Sequence, residues 1–551
     1  MPQPDYTPTV SNQRGDFRVT ALVGGHSASI AWDVAAADRV GLRGFAVRRT
    51  EFLPGTDDVE RVRWLNGQKR FADNVDLGVD VPSDQAPFQR FRWNDYTLKE
   101  DRWYRYEVFQ MRGDPGNLDR GDPLVTDLVA SPGTADGSAV TVNRGVTAAP
   151  AYLSRFGGVD PQQLPAARSW LSRGLEESLI AFIERAAGPG DTLHVSIYEM
   201  HHKPIAEALK DAQRRGAVVK IVLHYRNDRA SEESEHVLRD VGLWSQVYKR
   251  TNVNISHNKF VVHLHDDVPL ALWTGSANFS FNAFYLQTNQ AVVLEDPTLV
   301  DAYEQYWQII KDDPEKGITS NGLAPARPRI ADLMGTVNPN LGNTKVLFSP
   351  VSTTDVLDEA ITLVSNAQSA VFISAPFGIR DPLAAAVNAL PDNILTYGLT
   401  NNTAVATLRQ LRTNTRRLIV PSKLETWMGR AWDAKAFGAH KVHSKLIVVD
   451  PWGANPKVMV GSANFSKASC RDNDENTLLV SGDRRLAAIL ATEFIRMFDH
   501  YNIRDFIKKL RQQGPTEEHF LDDTDAWSDT AFNPNARSHK YRDRQVFSGQ
   551  Q

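Results

Sequence analysis

The sequence predicts a multidomain protein, in which an N-terminal all-β sandwich precedes a bilobal α/β domain made of two pseudo-twofold-related repeats. Three observations predict this fold class. Short segments of alternating apolar and polar residues fill 16–135, and strand–helix–strand order occurs in 150–320 and again in 340–511. The hexapeptide GSANFS occurs once in each of these two later regions. Residues 1–15 and 512–551 are polar, so we expect a flexible N-terminus and a polar C-terminal tail.

The N-terminal region has the pattern of antiparallel strands separated by turns. In the segment WYRYEVFQM (103–111), Tyr104, Tyr106 and Val108 share one face of the predicted strand. Trp32 on an early strand and this tyrosine pair on a late one resemble a fibronectin type III or immunoglobulin-like domain. A stretch rich in Gly, Ser, Ala and Thr follows at 131–149 and predicts a linker.

The two later regions each combine apolar strands with an amphipathic helix. In the first, the helix-like segment 203–216 lies between the apolar runs 192–200 and 217–224. In the second, segment 381–390 lies between 370–377 and 393–399. This order predicts parallel strand pairing in an α/β layer. The Pro/Gly/Asn-rich segment at about 314–344 predicts a connector between the halves.

Composition excludes several classes of protein. The chain has 551 residues, of which 42% are apolar, and its formal net charge is −4, which disfavours nucleic acid as a partner. The single cysteine, Cys470, excludes a disulfide framework and a Cys-rich metal site. No apolar run approaches the ~20 residues that cross a bilayer. The N-terminus shows no apolar signal segment, so we expect a cytoplasmic protein, with non-classical secretion left open.

A chemical motif recurs at the same spacing in both halves. HNK at 257–259 and HSK at 443–445 each precede a GSANFS hexapeptide, and 18 residues separate His from Gly in both copies (257 to 275, 443 to 461). Alternate residues of a strand share a face, so each His points the same way as the Lys two positions later. The candidate site residues of the repeat are His257, Lys259, Ser276, Asn278, His443, Lys445, Ser462 and Asn464.

This inventory suits a phosphoryl group. Ammonium and amide groups hold its oxygens, while two imidazoles are placed for in-line displacement. At these residues the sequence resembles the phospholipase D superfamily, whose signature is HxK, an Asp after four further residues, and a downstream GSxN. The second copy is complete with Asp450, whereas the first has Leu264 where Asp is expected. The resemblance covers roughly 150–510.

The resemblance implies a two-step reaction without metal or cofactor. His257 attacks phosphorus and forms a phosphohistidine, while His443 acts first as general acid and then as general base. Asp450 has the opposite strand parity to His443, which indicates a structural carboxylate. The resemblance also implies further roles: Lys259, Lys445, Asn278 and Asn464 hold non-bridging oxygens, Ser276 and Ser462 bind substrate or cap turns, and Glu475 orients a catalytic His.

A second departure from the family pattern lies 14 residues after each GSANFS glycine. The second half has Glu475 there, and the first half has Asn289. An amide stabilises an imidazolium less than a carboxylate does, so we expect the two histidines to differ in pKa.

The predicted substrate is a phospholipid or another phosphodiester, with water or an alcohol as acceptor. One alternative is a nuclease of the same superfamily, and another is a catalytically weakened scaffold, which Leu264 and Asn289 motivate. Segment 403–445 has nine Lys or Arg and two acidic residues, which predicts an electropositive approach for an anionic substrate or peripheral contact with a membrane surface. Both half-sites lie in one chain, so a monomer is sufficient to complete the site.

Overall fold

The structure is a computed structural model, and it describes residues 4–71, 80–132, 134–135, 138–145, 149–312, 325–401, 415–419, 442–513, 519–536 and 538–550. Most of the basic segment predicted at 403–445 lies outside the described residues. None of the helices within the described ranges has the length and apolar character needed to cross a membrane.

Within its described residues, the N-terminal part is all-β in its regular structure, apart from one short 3-10 turn. One antiparallel sheet has the order β1-β2-β3-β8, and a second contains β10-β9-β4-β5 with β11 also paired to β9. Side chains from both sheets, including Trp32 and Tyr106, belong to one apolar core. The strands are β1 Thr9–Arg14, β2 Phe17–Val23, β3 Ala28–Asp33, β4 Gly44–Phe52, β5 Val59–Trp64, β6 Asn66–Gly67, β7 Val81–Pro82, β8 Arg92–Asp95, β9 Trp103–Asp114, β10 Asn117–Arg120 and β11 Leu124–Val129.

Both predicted flexible or linking segments contain a strand, which corrects those predictions. Residues 9–14 of the predicted flexible N-terminus form β1, which pairs with β2 along its whole length because main-chain groups at a sheet edge need no apolar side chains. Within the predicted linker 131–149, residues 138–142 form a strand that pairs with 290–293 of the first α/β half.

The first α/β half contains one mixed eight-stranded sheet with helices packed on it. Its order is β12-β13-β20-β19-β18-β14-β15-β16. The elements are β12 Thr134–Ala135, β13 Ser138–Val142, α1 Ala149–Phe156, α2 Pro165–Ser172, α3 Leu175–Glu184, β14 Asp191–Ile197, α4 Lys203–Arg214, β15 Val218–His224, α5 Arg229–Asp240, β16 Val247–Arg250, β17 Ile255–Ser256, β18 Lys259–His265, β19 Val268–Gly275, β20 Gln290–Leu294 and α6 Pro297–Lys311.

The second half repeats the same strand order. The path β27-β26-β25-β22-β23-β24, with β21 also paired to β27, matches β20-β19-β18-β14-β15-β16 with β13 paired to β20. The predicted parallel pairs β14–β15 and β22–β23 are present. The elements are α7 Ala326–Val337, β21 Thr344–Ser349, α8 Asp355–Ser365, β22 Ala370–Ser374, α9 Leu383–Ala389, β23 Leu395–Leu399, β24 Arg416–Ile419, β25 Leu446–Val449, β26 Lys457–Gly461, α10 Lys467–Arg471, β27 Asn473–Ser481 and α11 Arg484–Gln513.

The C-terminal segment differs from the polar tail predicted at 512–551. Its described residues include two short helices, α12 Asp529–Phe532 and α13 Lys540–Phe547. Trp527 is buried in the core of the N-terminal domain, and its indole Nε1 donates to the main-chain oxygen of Leu42 at 2.8 Å. Arg544 pairs with buried Asp33 at 2.5 Å. A few large apolar anchors therefore fix a segment whose composition is polar.

Helix α11 joins the N-terminal domain to the α/β region. Arg92 of β8 makes a two-pronged ion pair with Asp499 of α11, at 2.8 and 3.0 Å. Glu493, one turn and a half earlier, accepts from Arg173 of the first half at 2.6 Å. These buried pairs anchor all three parts of the chain on one helix, and breaking either pair would leave a charge buried and unpaired.

Candidate active site

The two halves exchange main-chain contacts next to each motif histidine. Strand β17 runs parallel to the start of β27, and the His257 amide donates to the Asp474 oxygen at 2.9 Å. In the second half, the His443 amide donates to the Thr288 oxygen at 3.1 Å. Each histidine is thus held at the junction by the other half of the chain.

The His257 imidazole is oriented by a carboxylate from the second half. Its Nδ1 lies 2.8 Å from Glu475 Oε2, and both side chains are buried. Glu475 Oε2 also accepts from the hydroxyl of Ser462 at 2.7 Å. Because Nδ1 is engaged with the carboxylate, Nε2 is the nitrogen of this ring that is left for chemistry.

The His443 imidazole is oriented by an amide from the first half. Its Nδ1 lies 2.9 Å from Asn289 Oδ1, and Ser276 Oγ lies 2.8 Å from the same oxygen. Asn289 Nδ2 donates to the Ala283 oxygen at 2.9 Å, which fixes which end of the amide faces the ring. The two dyads therefore have the same connectivity and differ in charge.

The lysines lie beside the histidines of their own strands. Lys259 Nζ donates to the His257 main-chain oxygen. Lys445 Nζ donates to the His443 main-chain oxygen at 2.8 Å and lies 3.1 Å from His443 Nε2. Burial lowers the pKa of Lys259 to about 7, while the charges of Glu475 and Glu199 oppose that shift. Burial also lowers the pKa of Lys445 well below its usual value.

Charges from both halves act on the first dyad. Burial, followed by the charges of Lys259 and Lys445, holds the pKa of His257 well below its usual value. Burial raises the pKa of Glu475 to about 7. Lys445 belongs to the second half, so its effect on His257 indicates that the two half-sites form one electrostatic unit.

The two motif asparagines each carry a buried amide oxygen. Asn278 is 8% exposed, and its Nδ2 donates to Glu199 Oε2 at 2.9 Å. The main-chain N–H of Asn464 donates to Ser469 Oγ at 3.2 Å. Within the described part of the chain, the Oδ1 atoms of both asparagines are buried without a hydrogen-bond partner.

The two motif serines contact the groups that orient the histidines. Ser276 and Ser462 are fully buried, and their hydroxyls bind Asn289 and Glu475 respectively. Each hydroxyl therefore supports the group that orients a histidine, and the prediction that these serines bind substrate or cap turns stays a prediction.

Asp450 contacts the main chain of its own half. Its carboxylate accepts from the amides of Gln368, Ser369 and Ala370 at 2.7–3.0 Å. The contacts tie the end of β25 to the start of β22. They are remote from the histidine pair along both strands.

A carboxylate occupies the corresponding place in the first half, although Leu264 replaces the motif Asp. Asp191 at the start of β14 accepts from the amides of Ala187 and Gly188 at 2.8 and 3.1 Å. The same side chain binds His263 and His265 at 3.0 and 2.9 Å. His263 and Val449 are equivalent positions of the repeat, and they pair with Leu193 and Val371 respectively. Asp191, two residues before Leu193, therefore corresponds to Ser369, and the acidic group of the first half lies on the neighbouring strand.

Tyr198, Glu199 and His224 also lie at this site, although they stand outside the repeated motif. The Tyr198 ring is 5.5 Å from the His257 ring, and Glu199 binds Asn278. His224 Nδ1 accepts from the Ser256 amide at 3.1 Å, next to His257. All three stand at the carboxyl ends of β14 and β15, where parallel strands deliver side chains to ligands. Their position after predicted parallel strands was therefore the signal in the sequence that could have identified them.

A family model described as "Cardiolipin synthase, PLD-like domain" matches residues 179–310 and 361–498, one match in each half. These matches contain both histidine–lysine motifs.

The chain belongs to the phospholipase D superfamily.

Relatives within the superfamily match part of the chain. A phospholipase D of Rickettsia bellii (strain RML369-C) is 32% identical over 117 residues, which are 21% of this chain and 55% of the relative. A phospholipase D of Rickettsia prowazekii (strain Madrid E) is 28% identical over 138 residues, which are 24% of this chain and 61% of the relative. The chain thus spans between half and two thirds of these relatives' length.

Among solved structures, phosphatidylserine synthase of Haemophilus influenzae Rd KW20 is 13% identical, with a TM-score of 0.41 and coverage of 62% of this chain and 91% of that one. The phospholipase D family member Nuc from Salmonella typhimurium is 27% identical, with a TM-score of 0.20 and coverage of 24% and 85%. In the described part of this superfamily member, no group of three or more His, Cys, Asp or Glu side chains could hold a metal ion.

Proposed function

We propose that this protein is a metal-independent phosphodiesterase that acts through a phosphohistidine. The observation that carries the proposal is the exchange of partners between the halves, in which Glu475 orients His257 and Asn289 orients His443. Each half is therefore needed to prepare the other's imidazole. Two prepared imidazoles in one buried site, beside two lysine amines, fit in-line displacement at phosphorus.

His257 is the proposed nucleophile. Its low pKa keeps the ring neutral near pH 7, so the Nε2 lone pair is available to attack phosphorus. The P–N bond forms as the P–O bond to the leaving alcohol breaks, and protonated His443 gives that alcohol its proton. Glu475 then balances the positive charge that develops on the phosphorylated ring.

His443 completes the second step. As a general base it takes a proton from water or an alcohol, whose oxygen attacks phosphorus and releases His257. Lys259, Lys445, Asn278 and Asn464 hold the non-bridging oxygens. Low lysine pKa values also mean that bound phosphate, by its charge, draws protons onto these amines.

A phospholipid is the proposed substrate. The matching family model carries the name of a lipid-synthesising enzyme, and the two Rickettsia relatives are named phospholipase D. The acidic net charge of −4 also favours a lipid over nucleic acid. The basic segment 403–445 favours the second candidate, a nuclease, because a polyanion would need such a patch.

The weakened scaffold is the third candidate, and two observations bear on it. Asp191 supplies a carboxylate close to where Leu264 departs from the motif. Asn289 still binds His443 at 2.9 Å. Both departures therefore keep the connectivity of the site, which favours an enzyme over a scaffold.

The proposed architecture accompanies this function. A pseudo-twofold axis relates the halves, which the equal sheet orders support. The N-terminal domain is a fibronectin type III-like sandwich, which its two sheets and common core support. We further propose a cytoplasmic enzyme that is complete as a monomer and makes peripheral contact with lipid surfaces.

A mass-spectrometric product scan tests the function. Mixed phospholipid vesicles are incubated with protein, ethanol and EDTA, and compared with His257→Ala, His443→Ala and the exposed control His236→Ala. We expect phosphatidic acid or phosphatidylethanol from the wild type and the control alone. Trapped phosphate on His257 in the His443→Ala variant would identify the nucleophile.

Other results would redirect the proposal. Equal product from both active-site variants would refute it. Lack of lipid product, combined with cleavage of single-stranded DNA or RNA, would establish the nuclease instead. Lack of any product would favour the scaffold.

A further inference from the structure

Glu199 places a carboxylate at a site whose other groups favour an anion. Its Oε2 accepts from Asn278 Nδ2 at 2.9 Å, and its charge acts on the buried amine of Lys259. The side chain is partly exposed. A carboxylate next to bound phosphate repels it, unless the substrate brings a positive or hydrogen-donating group to the same place.

A second acceptor lies on the same amide. Asn278 Oδ1 is buried without a hydrogen-bond partner within the described part of the chain, and the residue is 8% exposed. Buried polar atoms are nearly always paired, so this oxygen is suited to a donor from a ligand. The second hydrogen of Asn278 Nδ2 is left for the non-bridging oxygen that this residue is proposed to hold.

Tyr198, which directly precedes Glu199 in the chain, adds an aromatic face. Tyr198 is partly exposed, and its ring already lies 5.5 Å from the Lys259 amine. Tyrosine faces attract cations. The carboxylate, the unpaired amide oxygen and the ring share a preference for one chemical group, an ammonium.

The second half has a different surface at the corresponding place. Phe260 and Leu446 are equivalent positions of the repeat, and they pair with Ser196 and Ser374 respectively. The residues three positions further along these strands, Glu199 and Phe377, are therefore equivalent. Phe377 is 41% exposed. The acidic feature therefore belongs to one side of the site and is not part of the repeated phosphate-binding set.

We propose that Glu199, with Asn278 Oδ1 and the Tyr198 ring, selects phosphodiesters that carry a primary ammonium on one alcohol arm. This inference rests on the proposed function of the same site. Phosphatidylethanolamine and free glycerophosphoethanolamine both present the required group. A glycerol ester of equal acyl length lacks the ammonium and keeps a net negative charge.

The test compares dihexanoyl phosphatidylethanolamine with dihexanoyl phosphatidylglycerol. For Glu199→Gln we expect kcat/KM on the ethanolamine ester to fall about tenfold, because the attraction between the carboxylate and the ammonium is lost. We expect kcat/KM on the glycerol ester to rise, because the repulsion between the carboxylate and the anionic substrate is lost. Glu207→Gln, an exposed change on α4, is the matched control and leaves both values unaltered. Glu199→Asp should restore part of the preference. Glycerophosphoethanolamine as a third substrate separates the lipid from the free headgroup ester.

Two results would overturn the inference while leaving the function intact. One is an equal loss on both esters in Glu199→Gln, which would mean that the carboxylate only braces Asn278. The other is a wild-type preference for the glycerol ester. If neither lipid nor bis(4-nitrophenyl) phosphate is cleaved, the proposed function fails. In that case, titration calorimetry tests the ammonium preference without any need for catalysis. Binding of O-phosphoethanolamine should weaken about tenfold in Glu199→Gln, and an unchanged affinity would refute the inference.

Discussion

The contrast between the two histidine dyads can be tested by making them equal. Asn289→Asp replaces the neutral oxygen that lies 2.9 Å from His443 Nδ1 with a carboxylate of nearly the same shape. The second dyad would then match that of His257 and Glu475. A negative partner stabilises the imidazolium, so the pKa of His443 should rise.

The size of the rise follows from two opposing effects. Unit charges about 4 Å apart attract by about 4 kcal/mol at an effective dielectric constant near 20, which sets an upper bound near 3 pKa units. Burial opposes ionisation of the new carboxylate, as it does for Glu475, whose pKa is raised to about 7. Ionisation is also opposed by the Ala283 carbonyl oxygen, which accepts from Asn289 Nδ2 at 2.9 Å and would face a carboxylate oxygen in the variant. Part of the attraction is therefore lost, and we expect the pKa of His443 to rise by about 1–2 units.

The measurement is a histidine-selective NMR titration, with His443→Gln to assign the resonance. Asn455→Asp, an exposed change of the same chemistry, is the control. The alkaline limb of the kcat/KM profile should move upward with the titration, because His443 would stay protonated to higher pH. An unmoved or lowered His443 titration in a folded variant would refute the reasoning from the dyad partners.

Three other changes address the stability of the fold, one at the site and two away from it. For Glu475→Gln, we expect the free energy of unfolding to rise relative to the wild type as pH increases from about 4.5 to about 7. In this range the native wild type keeps a proton on Glu475 that the unfolded chain releases, so the wild type loses stability and the variant does not. Thermal melts measure the difference, and a difference that stays constant across this range would contradict the reasoning. Asp450→Ala should cost about 2–3 kcal/mol in urea unfolding, because buried amides lose a charged acceptor, and a loss below about 0.5 kcal/mol would contradict that view. Trp527→Ala should cost about 3–5 kcal/mol by the same assay, and full stability would mean that this side chain is not needed in the N-terminal core.

The repeat made most of the α/β fold predictable. Equal spacing of the two motifs implies equal loop lengths, and the two sheets do share one strand order. The site residues of the motif could be selected for the same reason. Partner exchange could not, because it depends on β17 pairing with β27 across the junction, and two-residue strands have no pattern in a sequence.

Other features escaped prediction because they are single side chains in ordinary surroundings. Asp191 compensates for Leu264 from a neighbouring strand 73 positions away, which only strand pairing reveals. Glu199 follows a buried strand and looks like any solvent-facing acid. Trp527 stands among polar residues, so local composition predicts a tail although one aromatic ring is enough to anchor the segment.

The insertion of Trp527 into the core formed by 17–128 has a consequence for biosynthesis. A ribosome completes the first domain's strands long before it reaches this residue, yet their core stays open until about 400 further residues have been made and both α/β halves have had time to fold. The domain that is translated first is therefore finished last. A product truncated before Trp527 would lack this side chain in its N-terminal core, so we expect it to be less stable than the full chain.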